Sequence, residues 1–258
     1  MELISWELMT RAIVPCLSSC CNLAALNLPV EGMSLEVRVG MAGLWLVFVA
    51  VLAAIAKRFT PPGSELVRKV VHIGTGNIIL LAWGLQIPAW VGITAAIVFG
   101  GVALASYRYP LLPSLDTVGR RSWGTFFYAA SIGILVAWFW PLHLPQFTAL
   151  GILVMAWGDG LAGLVGQHFG RHPYQLWGMK KSWEGSLTMA IVSGVITLAV
   201  LLPLQENLVQ ENLAEVGLTA LAVSILATVL EAFSKLGIDN LTVPLGSAAI
   251  AYLLSQLW

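Results

Sequence analysis

Long apolar runs, nearly free of charge, recur along this chain. Each is about as long as one helical crossing of a hydrocarbon slab, which takes roughly 20 residues. They lie at 36–56, 70–86, 88–106, 124–140, 147–166, 185–204, 216–233 and 241–257. Lipid offers no partner for backbone N–H and C=O groups, so such runs must satisfy their own hydrogen bonds as helices. Hydrophobic residues make up 58% of the chain and charged residues 10%, with a mean hydropathy of +0.85, which leaves too little polar material for a soluble surface. The expected fold is therefore all-α: an integral membrane bundle of about eight transmembrane helices, with seven or nine allowed by the short and glycine-rich ends.

Residues 35–258 read as a single membrane domain, without tandem repeats or inverted symmetry. Residues 1–34 stand apart. The stretch from Ala12 to Val30 lacks charge and is interrupted by Pro15. It fits an interfacial helix, an extra span or a targeting segment. Cys16, Cys20 and Cys21 form an odd cluster without histidine or acidic neighbours, so they suggest neither a disulfide framework nor a zinc site. A formal net charge of zero gives no reason to expect nucleic acid as a partner. Oligomeric state is not legible.

Charge placement orients the bundle. Lys57, Arg58, Arg68 and Lys69 lie between the first two runs, and Arg108, Arg120 and Arg121 between the third and fourth. Arg171, Lys180 and Lys181 follow the fifth, and Lys235 the seventh. The alternate connections, 86–88, 141–146 and 204–215, hold no Lys or Arg. Eleven of the thirteen basic residues thus share one side. The positive-inside rule makes that side cytoplasmic, or stromal in a plastid.

Ionisable groups within apolar runs are costly and are functional candidates by default. Asp159 stands between Gly158 and Gly160 in the inner half of its run, and His72 follows Arg68-Lys69. Glu231 closes its run, with Asp239-Asn240 in the next turn. The expected topology brings all of these to the basic face. Carboxylates suit a hard cation such as Mg²⁺, and Lys and Arg suit phosphate oxygens. These are the parts phosphoryl transfer requires, since its catalysis is mostly positioning and charge neutralisation.

Structural readings compete at each position. Asp159 paired with a lysine would hold two helices together, Lys180 and Lys181 serve equally as topological anchors, and His72 as a hydrogen-bonding group between helices. The literal GxGxxG at Gly158–Gly163 lies inside a membrane run rather than opening a helix in a βαβ unit, so a dinucleotide site is not supported. Gly163, Gly166 and Gly170 read as close-packing surface. His168 and His172 flank Arg171 in a solvated loop, and His143 has no role on the far side. Arg120, Arg121 and Ser122 either meet phosphate or mark a loop.

Taken together, Gly158-Asp159-Gly160 and Lys180-Lys181-Ser182-Trp183-Glu184-Gly185-Ser186 resemble the polyprenol kinase family, most closely its phytol kinases of plants and cyanobacteria. Arg68-Lys69-Val70-Val71-His72-Ile73-Gly74 and Asp239-Asn240-Leu241-Thr242-Val243-Pro244-Leu245 agree with it. The resemblance runs from about the second span to the last. It implies transfer of the terminal phosphate of a nucleoside triphosphate, typically CTP, to a membrane-resident isoprenoid alcohol such as phytol, on the way to tocopherol. Relatives act on farnesol, dolichol or diacylglycerol. Some are labelled phosphatidate cytidylyltransferase, but the dense acidic and basic C-terminal signature of those enzymes is not evident here. No GxxxxGK[ST] loop or protein-kinase signature set is present.

On this reading Mg²⁺ is the divalent cofactor and CTP the co-substrate. Asp159, Glu231 and Asp239 hold the metal, and Asp159, Lys181, Glu231 and His72 are catalytic. Lys180, Lys181, Ser182, Gly158, Gly160, Lys69 and Arg121 meet nucleotide phosphates, with Glu184 and Asn240 in support. Rival classes are a cytidylyltransferase that makes a CDP-lipid and a membrane transporter. A transporter would carry its charges near the midplane with access from both faces, against the one-sided clustering.

Overall fold

A computed structural model describes Val30 and residues 32–61, 64–107, 123–204 and 213–257. The expected N-terminal segment therefore lies almost wholly outside the described residues, as does Arg121. The helices are α1 (Leu35–Phe59), α2 (Glu65–Gly76), α3 (Ile78–Gly84), α4 (Ala89–Ser106) and α5 (Gly124–Phe139). They continue as α6 (Pro145–Leu153), α7 (Gly160–Phe169), α8 (Trp183–Leu201), α9 (Leu213–Ala232) and α10 (Asp239–Ser255). Among the described residues six helical stretches are long and apolar enough to cross a membrane: α1, α2–α3, α4, Pro145–Phe169, α8 with its 3₁₀ extension, and α9. The 16-residue α5 and 17-residue α10 are shorter. Each expected apolar run falls on a helix, so the all-α multi-span bundle stands.

The stretch Pro145–Phe169 is the axis of the bundle. Its apolar window is 61% buried, against 11% for α1 and 33% for α9. Small residues allow that crowding. An added Cβ on Gly151 would strike the Pro244 carbonyl of α10, so the two helices approach backbone to backbone. Thr148, fully buried, donates its hydroxyl proton to the Leu135 carbonyl at 3.0 Å. On the outside, Leu44, Ile97 and Ile191 are exposed, as a surface facing lipid tails allows.

Hydrogen bonds between helix ends show the alternation. At one end Arg38 of α1 donates to the carbonyls of Leu85 and Gln86, and Trp140 Nε1 to the Ile87 carbonyl at 2.9 Å. At the other, the Trp123 amide before α5 donates to the Leu236 carbonyl before α10 at 3.1 Å. Among the described residues the basic connections gather at this second end.

Three local features depart from plain helices. Asn77 interrupts the ladder between α2 and α3, with a helical backbone that lets the stretch continue. Val154–Asp159 is π-helical and inserts between α6 and α7, the kind of bulge frequent at functional sites. The loop before α8 is an antiparallel hairpin, β1 (Pro173–Leu176) with β2 (Met179–Ser182). Its two-residue turn, Trp177-Gly178, has φ of 48° and 81°, the double positive that a tight hairpin demands.

Candidate active site

The π-helical segment ends on Asp159, and a buried lysine of α2 is locked to it. Lys69 Nζ donates to Asp159 Oδ2 at 2.6 Å and to the Asp159 carbonyl at 2.9 Å. The lysine is only 3% exposed. Gly163 makes this approach possible: an added Cβ there would come within 2.8 Å of Lys69 Cε and 3.0 Å of Nζ. A charge pair at this depth is held by geometry, since removing one partner strands the other.

His72 lies one turn further along α2, with Nε2 3.7 Å from Asp159 Oδ2. The ring hydrogen-bonds the main chain at Met155, inside the π segment, and packs on Tyr128 with centroids 4.4 Å apart. Nε2 itself is buried and, among the described residues, has no hydrogen-bond partner. In the neutral ring, a proton held on the other nitrogen leaves Nε2 as an acceptor. An unpaired acceptor beside a carboxylate offers a hydrogen bond to an incoming donor. Nearby, Trp157 Nε1 donates to Asn77 Oδ1 at 2.9 Å, which ties the helix break in α2–α3 to the π segment.

A second ion pair sits where β2 meets the end of α9. Lys181 Nζ donates to the Glu231 carboxylate, to its carbonyl at 3.1 Å and to Ser234 Oγ at 2.8 Å. Glu231 is 5% exposed. Asp239 opens α10 beside it, its Oδ1 accepting from the Asn240 amide at 3.1 Å and from Asn240 Nδ2 at 3.2 Å. Among the described residues Asp239 makes no ion pair, yet it lies within Coulombic range of Asp159, Lys181 and Glu231. The two centres are thus electrostatically one cluster. Pro244 sharpens it, because a proline cannot donate to the Asn240 carbonyl four residues back.

The remaining expected positions separate. Side chains alternate along β2, so Lys180 points out while Lys181 points in. Ser182 caps α8 by accepting from the Gly185 amide at 3.1 Å. Glu184 grips His172, 2.7 Å from its Nδ1, at the exposed edge of the hairpin. Gly158 and Gly160 sit in continuous helix, where an added Cβ would meet Met189 Sδ and Ile73 at 2.6 and 2.7 Å. Their place is in packing, and their amides belong to the helix ladder. Sequence reasoning passed over Tyr128, Asn77 and Ser234. The first two carried a signal, a polar group within an apolar run; Ser234 carried none.

Among the described residues no three His, Cys, Asp or Glu side chains converge as a ready metal cage. Asp159 is engaged by Lys69 and Glu231 by Lys181, which leaves Asp239 as the member of the cluster that makes no ion pair among the described residues. Hard oxygen donors of this kind fit Mg²⁺, which is commonly held by one or two carboxylates together with substrate phosphates.

The chain is 51% identical over 226 residues to a phytol kinase of Synechocystis sp., covering 88% of this chain and 95% of that protein. The chain belongs to the phytol kinase family of polyprenol kinases. The chloroplastic phytol kinase 1 of Arabidopsis thaliana is 30% identical over 213 residues, which cover 74% of this chain and 66% of that longer protein. The chloroplastic farnesol kinase of the same plant is 28% identical over 207 residues, again 74% of this chain and 66% of that one. No protein-family model and no solved structure matches the chain.

Proposed function

We propose that this protein transfers the γ-phosphoryl group of CTP to the hydroxyl of phytol, giving phytyl phosphate and CDP. The observation that carries the reaction class is the 51% identity to the Synechocystis phytol kinase along 95% of its length. The geometry supplies matching parts: two lysine–carboxylate pairs, an unpartnered histidine nitrogen and an unpaired aspartate at the basic end of an apolar bundle. A long isoprenoid tail remains in lipid while its hydroxyl reaches that end, which we place on the cytoplasmic or stromal face by the positive-inside rule.

In this mechanism the alcohol hydroxyl donates to His72 Nε2, which takes its proton. The alcohol oxygen bonds to the γ-phosphorus as the bond from that phosphorus to the bridging oxygen breaks, and the electron pair leaves with CDP. Lys69 fixes Asp159, and Lys181, held by Glu231 and Ser234, neutralises charge on the phosphates. Lys180 adds attraction from the outer face of the hairpin. Asp239, oriented by Asn240, and Asp159 would hold Mg²⁺, which would supply positive charge to offset that of the phosphates.

The test is to incubate membranes containing the protein with γ-labelled or base-labelled CTP or ATP and a panel of phytol, farnesol, dolichol and diacylglycerol. Label from the γ position in phytyl phosphate, with CDP released, is the expected result. Pyrophosphate and a CDP-lipid would replace the kinase reading with cytidylyl transfer, and failure of every alcohol to gain label would end it.

A further inference from the structure

A cavity of about 520 Å³ opens at the basic end between the start of α2 and the end of α7. That falls within the roughly 300–1,000 Å³ of pockets that hold small-molecule ligands. Its position matters more than its size. Lys69 of α2 touches Gly163 of α7, and the two helices run in opposite directions past each other. Four residues outward on each, Glu65 and Gln167 line the cavity together with Leu66 and His168. Four residues are one turn, about 5.4 Å along the axis. The cavity therefore lies directly outside the Lys69–Asp159 pair, on the side from which a soluble substrate arrives.

Its lining is chemically mixed. Thr60 and Ser64 are turned to the backbone, donating to the Ala56 carbonyl and accepting from the Leu66 amide. Gln167 makes no hydrogen bond among the described residues, so its amide presents both a donor and an acceptor. His168 Nδ1 contacts the Leu164 carbonyl at 2.9 Å, which leaves its ring edge outward. Glu65 is held 2.7 Å from Arg68, and Arg68 lies within Coulombic range of both His72 and Asp159. A cation paired to Glu65 of the lining thus sits next in sequence to Lys69.

We infer that this cavity seats the nucleoside of the donor, with its triphosphate running past Arg68 towards Lys69 and Asp159. This rests on the phosphoryl-transfer reading. The Gln167 amide pairs with the adjacent donor and acceptor on a base edge, as a glutamine does with a nucleobase. The Glu65 carboxylate accepts from ribose hydroxyls, the use of an acidic residue familiar in dinucleotide sites. Leu66 gives the base an apolar floor.

The test measures CTP binding directly, by equilibrium dialysis against purified full-length protein in detergent without any alcohol. Gln167→Leu keeps approximate volume and removes the amide; Leu66→Trp fills the cavity. Each is expected to raise the Kd for CTP about tenfold, and in turnover assays to raise the KM for nucleotide while leaving that for the alcohol unchanged. Unchanged CTP affinity in both variants, in protein with wild-type thermal unfolding, would overturn the inference. A rise confined to the alcohol KM would overturn it equally, by making the cavity the acceptor's. Wild-type protein that binds CTP through these residues yet labels no alcohol would leave the cavity standing and remove only the proposed reaction.

Discussion

Lys69 Nζ lies 2.6 Å from Asp159 Oδ2, in contact across helices that are 90 residues apart in the chain. The lysine side chain is 4% exposed and the aspartate 15%, so neither charge has water enough to stand alone. Truncating one partner of such a pair typically costs about 3–5 kcal/mol, because the other remains buried and uncompensated. Lys69→Met should therefore lower the unfolding temperature in detergent markedly, and adding Asp159→Leu should restore most of the loss. Activity should return in neither variant. A double variant that phosphorylates phytol at near wild-type rate would reduce the pair to a helix clamp.

Asp159→Asn separates charge from shape. The amide fills the same space and still accepts from Lys69, so the protein should insert and fold. Turnover should fall by roughly 100-fold or more, the scale of losing one preorganised electrostatic group. His72→Phe makes the companion case, since it keeps an aromatic ring against Tyr128 and removes the unpartnered Nε2. It should retain thermal stability and lose turnover, with the KM for nucleotide little changed. Equal loss of stability and activity would assign His72 to packing alone.

The apolar runs were legible because a bilayer imposes one length and one polarity on every crossing, and charge-bearing connections mark their ends. Asp159, His72 and Glu231 stood out for the same reason, as ionisable groups where lipid or packed helix was expected, whereas Lys69 read as part of a basic connection. Partner choice was not legible. Lys69 and Lys181 each had several carboxylates on their side of the bundle, and which they meet depends on helix packing. The π-helical Val154–Asp159 is likewise a tertiary outcome, since its local sequence is ordinary apolar helix. In the hairpin, Trp177-Gly178 has only half of the usual turn signal, a glycine without the preceding Asn or Asp. Gly158 and Gly160 stood out in the sequence as glycines flanking Asp159, while the neighbours they pack against, Met189 and Ile73, were not legible there.

The hairpin gives two adjacent lysines opposite fates. Lys181 reaches inward to Glu231 and Ser234, while Lys180 faces out. Lys181→Met should destabilise the protein by about 3–5 kcal/mol, by stranding the buried Glu231 carboxylate. Lys180→Gln should change stability by no more than about 0.5 kcal/mol, and its effect on the nucleotide KM should shrink as salt is raised. Thermal scanning and KM measurements at two ionic strengths separate the two. Equivalent effects would contradict the alternation along β2.

Gly163 tests whether the lysine's position, rather than its presence, matters. A methyl group there must displace Lys69 Cε or Nζ, which lie 2.8 and 3.0 Å from the added carbon. Overpacking of this kind costs typically 1–3 kcal/mol. Gly163→Ala should accordingly cut kcat more than it shifts the unfolding temperature. Gly217→Ala, where nothing lies within 4 Å, is the control and should leave both unchanged. Matching behaviour of the two variants would show that Lys69 moves aside without consequence.

Orientation is open to a direct measurement. With Cys16, Cys20 and Cys21 replaced by serine, single cysteines at Lys180 and Leu142 mark opposite ends of the bundle. Leu142 is 49% exposed in the connection that joins α5 to α6. Lys180 is exposed in β2, on the end that carries the basic connections. On the proposed orientation the β2 position lies inside, since translocating four basic connections is disfavoured at every one of them. A membrane-impermeant maleimide should then label Leu142→Cys in intact cells and Lys180→Cys only in inverted vesicles. The opposite pattern would put the cluster on the outer face, away from cellular nucleotide, and the kinase mechanism proposed here would lose its donor.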